Sequence, residues 1–557
     1  MHRESHKPLA LGAALGNCVH VAGLLNFMRL AAREGYDTIS LGTAVPVERL
    51  VSEIERLQPQ LVAVSYRLTP EVARALLDDL ARQLRQRGLT DRKFIFGGTE
   101  PVAEQARQLG LFDEVFGGQA TPDDVVAYLH GGVRAAQQPN HAATLLERIN
   151  NNHGHPIVRH HFGQPTVAAT VEGARLIAEA EVLDVLSLGP DQNAQEHFFR
   201  PEQMRTELTG AGGVPLRKPE DLQAIYRATR CGNYPLLRVY AGTRDLIQWA
   251  EMSVHNLRNA WGAIPLFWYN QLDGRSDRSP VESIAENQQT MRWYAEHDIP
   301  VECNEAHHWS LRDAHDAVAV AAAFLGAYNA RAMGVTHYVA QYMFNTPAMT
   351  SPLMDLAKML AKKTLIERLH DDNFVSITQT RAGLGCFSAN PHEAKGQLGA
   401  NTVLQLALEP QIVHVVGYSE GDHAITAPEL IESCHIVHGA LAQCLEGMPD
   451  TTLDERVIAR RDELIEEAEL ILAAIQQLAC PEPAEEGEAV ADPWTDPQAL
   501  AEAVKLGIMD APHLIGNPHA YGHTCTMLVD GASTAVDPQT GTPLTERERL
   551  ARLGFEM

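Results

Sequence analysis

Leu9–Gly16 reads LALGAALG, and Val19–Gly35 reads VHVAGLLNFMRLAAREG. The first stretch is a short apolar run of strand length. The second repeats its apolar residues at helical spacing. The same alternation continues outward. TISLG (38–42) is followed by VERLVSEIERL (47–57), LVAVS (61–65) by a long helical stretch from Pro70 to Arg87, and KFIFGG (93–98) follows in turn. FDEVFGG (112–118) and TPDDVVAYL (121–129) add a fifth strand and a last helix. Short apolar strands alternating with amphipathic helices predict an α/β unit with a parallel, doubly wound, Rossmann-like sheet over residues 1–132.

Beyond it, GGVRAAQQPN (131–140) and the His/Asn-rich NNNHGHPIVRHHFG (150–163) read as a connector, 133–164, holding one helix. Its histidines show no HxH or HExxH spacing, so a metal site has little support there. From 165 to 480 eight strand candidates alternate with helices: VLDVLSL, GGVPL, PLLRVYAG, IPLFWYN, IPVECNE, HYVAQYMF, FVSITQTR and IVHVVGYS. Eight βα units predict a (β/α)₈ TIM barrel. PEPAEEGEAVADP (481–493) reads as a surface linker. It opens a C-terminal extension, 481–557, expected to pack on the barrel.

Composition fits this organisation. At about 150 residues per domain, 557 residues suggest three or four units. The 45 Lys and Arg against 71 Asp and Glu leave a formal charge of −26. That argues against nucleic-acid or anionic-membrane partners, whose phosphates need the opposite sign. No apolar run has transmembrane length, Met1–Pro8 lacks signal-peptide architecture, and the eight cysteines include no CxxC pair. A reduced, cytoplasmic protein is expected.

In open parallel sheets, ligands sit beyond the carboxyl ends of the strands. GNCVHVAG (16–23), VSYRLT (64–69) and FGGTE (96–100) fall there. His20 offers a ring nitrogen to a metal centre, Ser65 a hydroxyl, and Gly23, Gly97 and Gly98 room for a bulky ligand. Singly, a loop histidine is a solvated side chain and a Gly-Gly pair a turn. In this order the residues resemble the cobalamin (vitamin B12)-binding domain of base-off, His-on enzymes, whose motif is Asp-x-His-x-x-Gly, then Ser-x-Leu, then Gly-Gly. Here the matches are Cys18-x-His20-x-x-Gly23, Ser65-x-Arg67 and Gly97-Gly98. The resemblance implies that His20 ligates the cobalt. It implies a nucleotide tail running into a slot lined by Gly23, Ser65, Gly97, Gly98 and Thr99. Cys18 stands where the family has the aspartate that tunes the histidine, so that tuning falls to the weaker thiol, Asn17 or water.

The barrel resembles the epsilon subunit of glutamate mutase (methylaspartate mutase). The likeness rests on GGVPLRKPEDL (212–222), LLRVYAGT (236–243), AEAVKLGIMDAP (501–512) and GTPLTERERLAR (541–552). It implies an adenosylcobalamin-dependent isomerase, a radical mutase whose corrin caps the barrel mouth, acting on a small carboxylate-bearing molecule, and a homodimer. Arg238 matches a carboxylate-clamping arginine, with an ion pair to a neighbouring strand as the alternative. Arg275 and Arg278 are loose candidates for a second clamp. The third is lost: CNEAHHW (303–309) puts Asn304, Glu305, His307 and His308 there, which argues against glutamate as substrate. Glu305 and His307 are candidates to move a proton or to hold a substrate amine or hydroxyl, and Tyr342 matches a tyrosine near the substrate, with core packing as the alternative. Asp191, Tyr269, Asn270, Gln341, Thr378 and Arg381 are further strand-end candidates.

GYSEGDHA (417–424) lacks the family's ribose-contacting lysine. Either Glu420 and His423 hold the ribose, or the upper ligand is not adenosyl. Glu420, Asp422 and His423 as a metal site is a weaker reading. The alternatives to a mutase are a cobalamin-dependent methyltransferase and a non-catalytic corrinoid-binding protein. No lysine stands out as a pyridoxal Schiff base.

Overall fold

The computed structural model describes residues 7–118, 120, 122–131, 141–152, 154–445, 447–478 and 492–556. The chain divides into two compact units, Met1–Asn140 and His141–Met557. Most of PEPAEEGEAVADP, and residues 133–140 and 153 of the expected connector, lie outside the described residues.

The first unit is a five-stranded parallel sheet in the order β2-β1-β3-β4-β5, with β1 Leu9–Ala14, β2 Asp37–Ser40, β3 Leu61–Ser65, β4 Lys93–Gly97 and β5 Glu114–Phe116. β1, buried beyond Leu9, and the fully buried β3 form its apolar centre, and helix Ala22–Arg33 turns Leu24, Phe27, Met28 and Ala31 onto it. Those four positions, spaced three and four apart, make one stripe on the helix. The strand order reverses between β1 and β3, and such a switch point opens a crevice at the carboxyl ends.

The second unit is a barrel of eight parallel strands: β6 Ile157–Phe162, β7 Val185–Leu188, β8 Leu236–Val239, β9 Gly262–Ile264, β10 Val301–Cys303, β11 His337–Phe344, β12 Val375–Ala382 and β13 Ile412–His414. Parallel pairing runs from β8 through β7, β6, β13, β12, β11 and β10 to β9. The seam between β8 and β9 is bridged by backbone bonds from Ala260 N to Leu237 O (2.8 Å) and from Ala241 N to Ala263 O (3.3 Å).

Two strand assignments from sequence are corrected. IVRHHF, expected in the connector, is β6 and pairs with β13 and β7. Arg159 and His161 give it a loop-like composition because they point into a polar barrel interior, while His160, on the other face with Val158 and Phe162, bonds to Val415 O. GGVPL is not a barrel strand. Val214 makes only an isolated bridge to Pro190, and a Cβ on Gly213 would lie 2.0 Å from Gly189 O. A third strand is displaced: β9 lies upstream of IPLFWYN, overlapping it only at Ile264. Pro265 has no N–H to give a ladder, and the N–H groups of Leu266 and Phe267 go instead to the Glu305 carboxylate (2.8 and 3.1 Å).

The barrel interior is layered. Ile157, Val185, Leu236, Val339, Ile377 and Ile412 form one buried apolar cluster with Trp261 and with Leu145, from helix Leu145–Asn151. Outside the strands, two larger clusters join them to the surrounding helices. Leu500, Ala503, Val504, Ile508 and Met509 of the extension share a cluster with Ile284 and Met291 of helix Pro280–Glu296. The extension also carries the antiparallel hairpin β14 Cys525–Val529 and β15 Ala532–Val536.

No helix among the described residues is long and apolar enough to cross a membrane.

Candidate functional site

At the switch point of the first unit, the loops after β1, β3, β4 and β5 enclose a pocket of about 440 Å³. His20 and Gly23 line it from the first loop, Ser65, Tyr66 and Arg67 from the second, and Gly97, Gly98 and Thr99 from the third. Phe116, Gly117 and Gly118 close it from the fourth. His20 is exposed, and its ring has no hydrogen bond among the described residues. Ser65 Oγ is buried without a partner. A buried hydroxyl left unmade costs about 1–3 kcal/mol, which a ligand acceptor recovers.

The glycines divide by use. A Cβ added to Gly23 or Gly97 meets nothing within 4 Å, and neither has a positive φ, so these positions keep space open rather than relieve a clash. A Cβ on Gly98 would stand 2.5 Å from Tyr66 O, so Gly98 is required by the chain's own packing. Cys18 does not line the pocket. It is fully buried, with Sγ 3.9 Å from His20 O, and so touches the loop's backbone rather than the imidazole. Asn17 Oδ1 accepts from the Tyr66 hydroxyl at 2.9 Å.

These features fit a large cofactor with a long tail: an unpartnered imidazole at the rim, an orphaned hydroxyl within, and a floor kept bare by glycine. Residues 8–127 match the family model of the B12 binding domain. That match lies within the first unit and assigns cobalamin binding to it. Among solved structures, this chain is similar to a novel cobalamin-binding protein from Desulfitobacterium hafniense DCB-2 at 23% identity, with a TM-score of 0.19. The similarity covers 22% of this chain and 56% of that one, so it spans little more than half of the other protein's length. No curated protein matches the chain. In the B12 binding domain, His20, Gly23, Ser65, Gly97, Gly98 and Thr99 are the pocket residues, and Cys18 supports the loop from behind.

A second cavity, of about 550 Å³, lies at the carboxyl ends of the barrel strands. His161, Met343 and Arg381 reach it from β6, β11 and β12, Tyr240 from just past β8, Tyr269 and Arg275 from the loop after β9, and His307, His308 and Ser310 from the short helix Glu305–Ser310 after β10. Below it is a buried polar layer centred on Glu302. Its carboxylate accepts from Arg238 (2.7 Å), Trp261 Nε1 (2.6 Å) and Gln379 Nε2 (3.1 Å), and lies 3.6 Å from Arg159. Arg159 also donates to Ser187 (3.0 Å) and to Gln341 Oε1 (3.1 Å), and contacts His161 Nε2 (3.1 Å). Burial pushes the Glu302 carboxyl up, but Arg238 and Arg159 outweigh it and hold the group below the usual carboxylate range. Burial and the nearby arginines hold His161 and His414 well below the usual histidine range. Burial, His308 and Arg381 do the same to His307.

This layer separates the expected substrate residues. Arg238 is fully buried in the ion pair with Glu302 and does not line the cavity. Of the two loose clamp candidates Arg275 lines the mouth, whereas Arg278 is turned to Glu286. Arg381 lines it too, with one bond, from Nε to Ala382 O at 3.3 Å. Among the described residues nothing else engages its guanidinium, a free fork for a carboxylate. His307 faces the cavity. Glu305 does not: it binds the turn after β9 and Trp309 Nε1 (2.8 Å). Burial raises its carboxyl to about 7, against the pull of those donors.

Tyr342 alternates outward from Gln341 and Met343 into the apolar layer. Gln341 belongs to the buried network, and Tyr269 lines the mouth. Asn270 and Asp191 hold local turns and a helix start, and Thr378 sits in mid-strand. Glu420 accepts from Gly417 N, while His423 bridges Asp422 and Glu429 at the surface, both at 2.9 Å. Neither lines the cavity, and no metal-holding group of three or more His, Cys, Asp or Glu exists among the described residues. His161 and Tyr240, stacked at 4.4 Å, join the site without a sequence signal: β6, which carries His161, has a loop-like composition, and Tyr240 follows an ordinary apolar strand.

Proposed function

We propose that the chain is an adenosylcobalamin-dependent isomerase of the glutamate mutase type, acting on a small carboxylate-bearing substrate other than glutamate. The carrying observation is the pocket at the switch point: the residues of the cobalamin motif, dispersed over 80 positions of sequence, line one cavity in a unit that matches the B12 binding domain. The barrel mouth supports the substrate class, because Arg381 and Arg275 place two guanidinium groups there.

His20 would give an imidazole nitrogen to the cobalt, and Ser65 a hydroxyl to the nucleotide tail in the slot left by Gly23 and Gly97. Bound adenosylcobalamin supplies radical hydrogen transfer through its weak cobalt–carbon bond. The chain's own work is positional. Arg381 clamps the carboxylate in place of Arg238, whose charge is committed to Glu302. The Glu302 layer fixes the imidazoles above it, and the apolar layer beneath closes the barrel floor against water.

Anaerobic mixing of the purified chain with adenosylcobalamin and a panel of small acids, followed by electron paramagnetic resonance, tests this. A substrate-dependent Co(II)–radical signal is expected with at least one acid. A silent panel, with label moving from methylcobalamin to an acceptor, would replace the mutase by a methyltransferase.

A further inference from the structure

The hydrogen-bond directions around the barrel cavity are fixed from below, and they limit what the cavity can bind. Arg159 has only donors, so His161 Nε2, 3.1 Å from its NH1, is an acceptor and the ring's proton sits on Nδ1. Gln341 Oε1 already accepts from Arg159 and Gln379 (3.1 and 3.0 Å), so its amide nitrogen donates to His307 Nδ1 at 3.1 Å. The proton of His307 is therefore on Nε2. Arg312 NH1 lies 3.5 Å from His308 Nδ1 and imposes the same tautomer on that ring. Each imidazole is thus held neutral, with one nitrogen engaged by a donor and the other left as an N–H. None of those three N–H groups has a partner among the described residues, and all three histidines line the cavity.

To these donors the mouth adds Arg381, and Arg275, whose Nε lies 3.7 Å from Asp273, an acid shared with Arg312 (3.2 Å) and not among the lining residues. The one acid among the lining residues is Asp313, half exposed at the rim and 3.7 Å from His513. Glu302 is spent beneath the floor and Glu305 behind it. Neutral acceptors remain, among them Asn345 and Ser310, but no carboxylate inside the cavity compensates an ammonium. An ammonium beside two guanidinium groups and the N–H donors of His307 and His308, with the His161 Nδ1 proton buried behind them, loses its hydration without gaining a counter-charge.

We infer that the cavity selects small acids whose second polar group is an oxygen (a hydroxyl, a carbonyl or a further carboxylate) and rejects the matching 2-amino acids. This rests on the reading of the barrel mouth as the substrate site.

Calorimetric titration of the full chain without cobalamin tests the selectivity. Three matched sets are used: 2-hydroxyglutarate, 2-oxoglutarate and glutamate; malate, oxaloacetate and aspartate; lactate, pyruvate and alanine. In at least one set the oxygen-bearing acids should bind about tenfold or more tightly than the amino acid. The His307→Phe variant should lose that preference by weakening the oxygen acids about tenfold while leaving the amino acid unchanged. An amino acid binding as well as or better than its partners overturns the inference, as does failure of every acid to bind. Because no cofactor is present, selectivity with a silent radical assay would condemn the mutase reading alone, and a radical formed from an amino acid would condemn this inference alone.

Discussion

Arg238 and Arg381 are both arginines of the barrel interior, yet their surroundings give them opposite work. Arg238 has no exposure, shares the Glu302 carboxylate with Trp261, and lies over the rings of Tyr240 and Trp261 at 4.6 and 5.3 Å. Replacing it with methionine leaves a buried carboxylate short of a partner, so Arg238→Met should lower unfolding stability by about 3–5 kcal/mol in urea titration. Arg381→Met removes a half-buried group with one weak bond. It should change stability by less than about 1 kcal/mol while weakening acid binding at least tenfold. The reverse pattern would return the clamp to Arg238. In the sequence both are strand arginines; only their depth separates them, and depth follows from β9 and β10 supplying Trp261 and Glu302 beside one and open space beside the other.

Single elements carry the next level of consequence. The end of β4 and the residue after it are two glycines with different duties. Gly97→Val should abolish corrinoid binding and leave the thermal transition within about 2 °C of the parent, because its side chain enters empty space. Gly98→Ala should destabilise the unit, its Cβ meeting Tyr66 O. Equal melting points for both, by calorimetry, would refute the distinction.

Helix Pro352–Glu367 buries Lys358 between Asp316 (3.1 Å) and Asp355 (3.0 Å) and buries Lys362 one turn later. Burial, with the charge of Lys358, lowers Lys362 from its ordinary 10.5 to about 7. Between those values the unfolded chain binds the extra proton, so this group makes stability rise with pH by up to about 1.4 kcal/mol per unit and costs most below pH 7. Lys362→Met should stabilise the protein at pH 6 and flatten that rise in denaturant titrations. An unchanged slope would show the lysine ionised in place.

At this scale the sequence was readable where strands are apolar and opaque where they are not. β11, HYVAQYMF, was found residue for residue. β6 was missed because Arg159, His160 and His161 fill half its length. The helix Val167–Glu179 after it, which needs a strand to pack on, was the signal available.

For the whole molecule, the two units were legible in different degrees. The first shows its function in the sequence because a cofactor pocket built from loops keeps its residues in order along the chain, from His20 through Ser65 to Gly97. The second does not, because its cavity draws side chains from seven of the eight barrel strands or the segments that follow them, and which of them face inward depends on register. Both units depend on the proposed ligation of cobalt by His20. The decisive measurement is the electron paramagnetic resonance spectrum of Co(II) cobalamin bound to the full chain grown with nitrogen-15 histidine. Nitrogen-15 on the cobalt should give doublet splitting of each high-field line, and the His20→Ala variant should lose it. Triplet splitting in the labelled protein, or the doublet surviving in the variant, would contradict the claim.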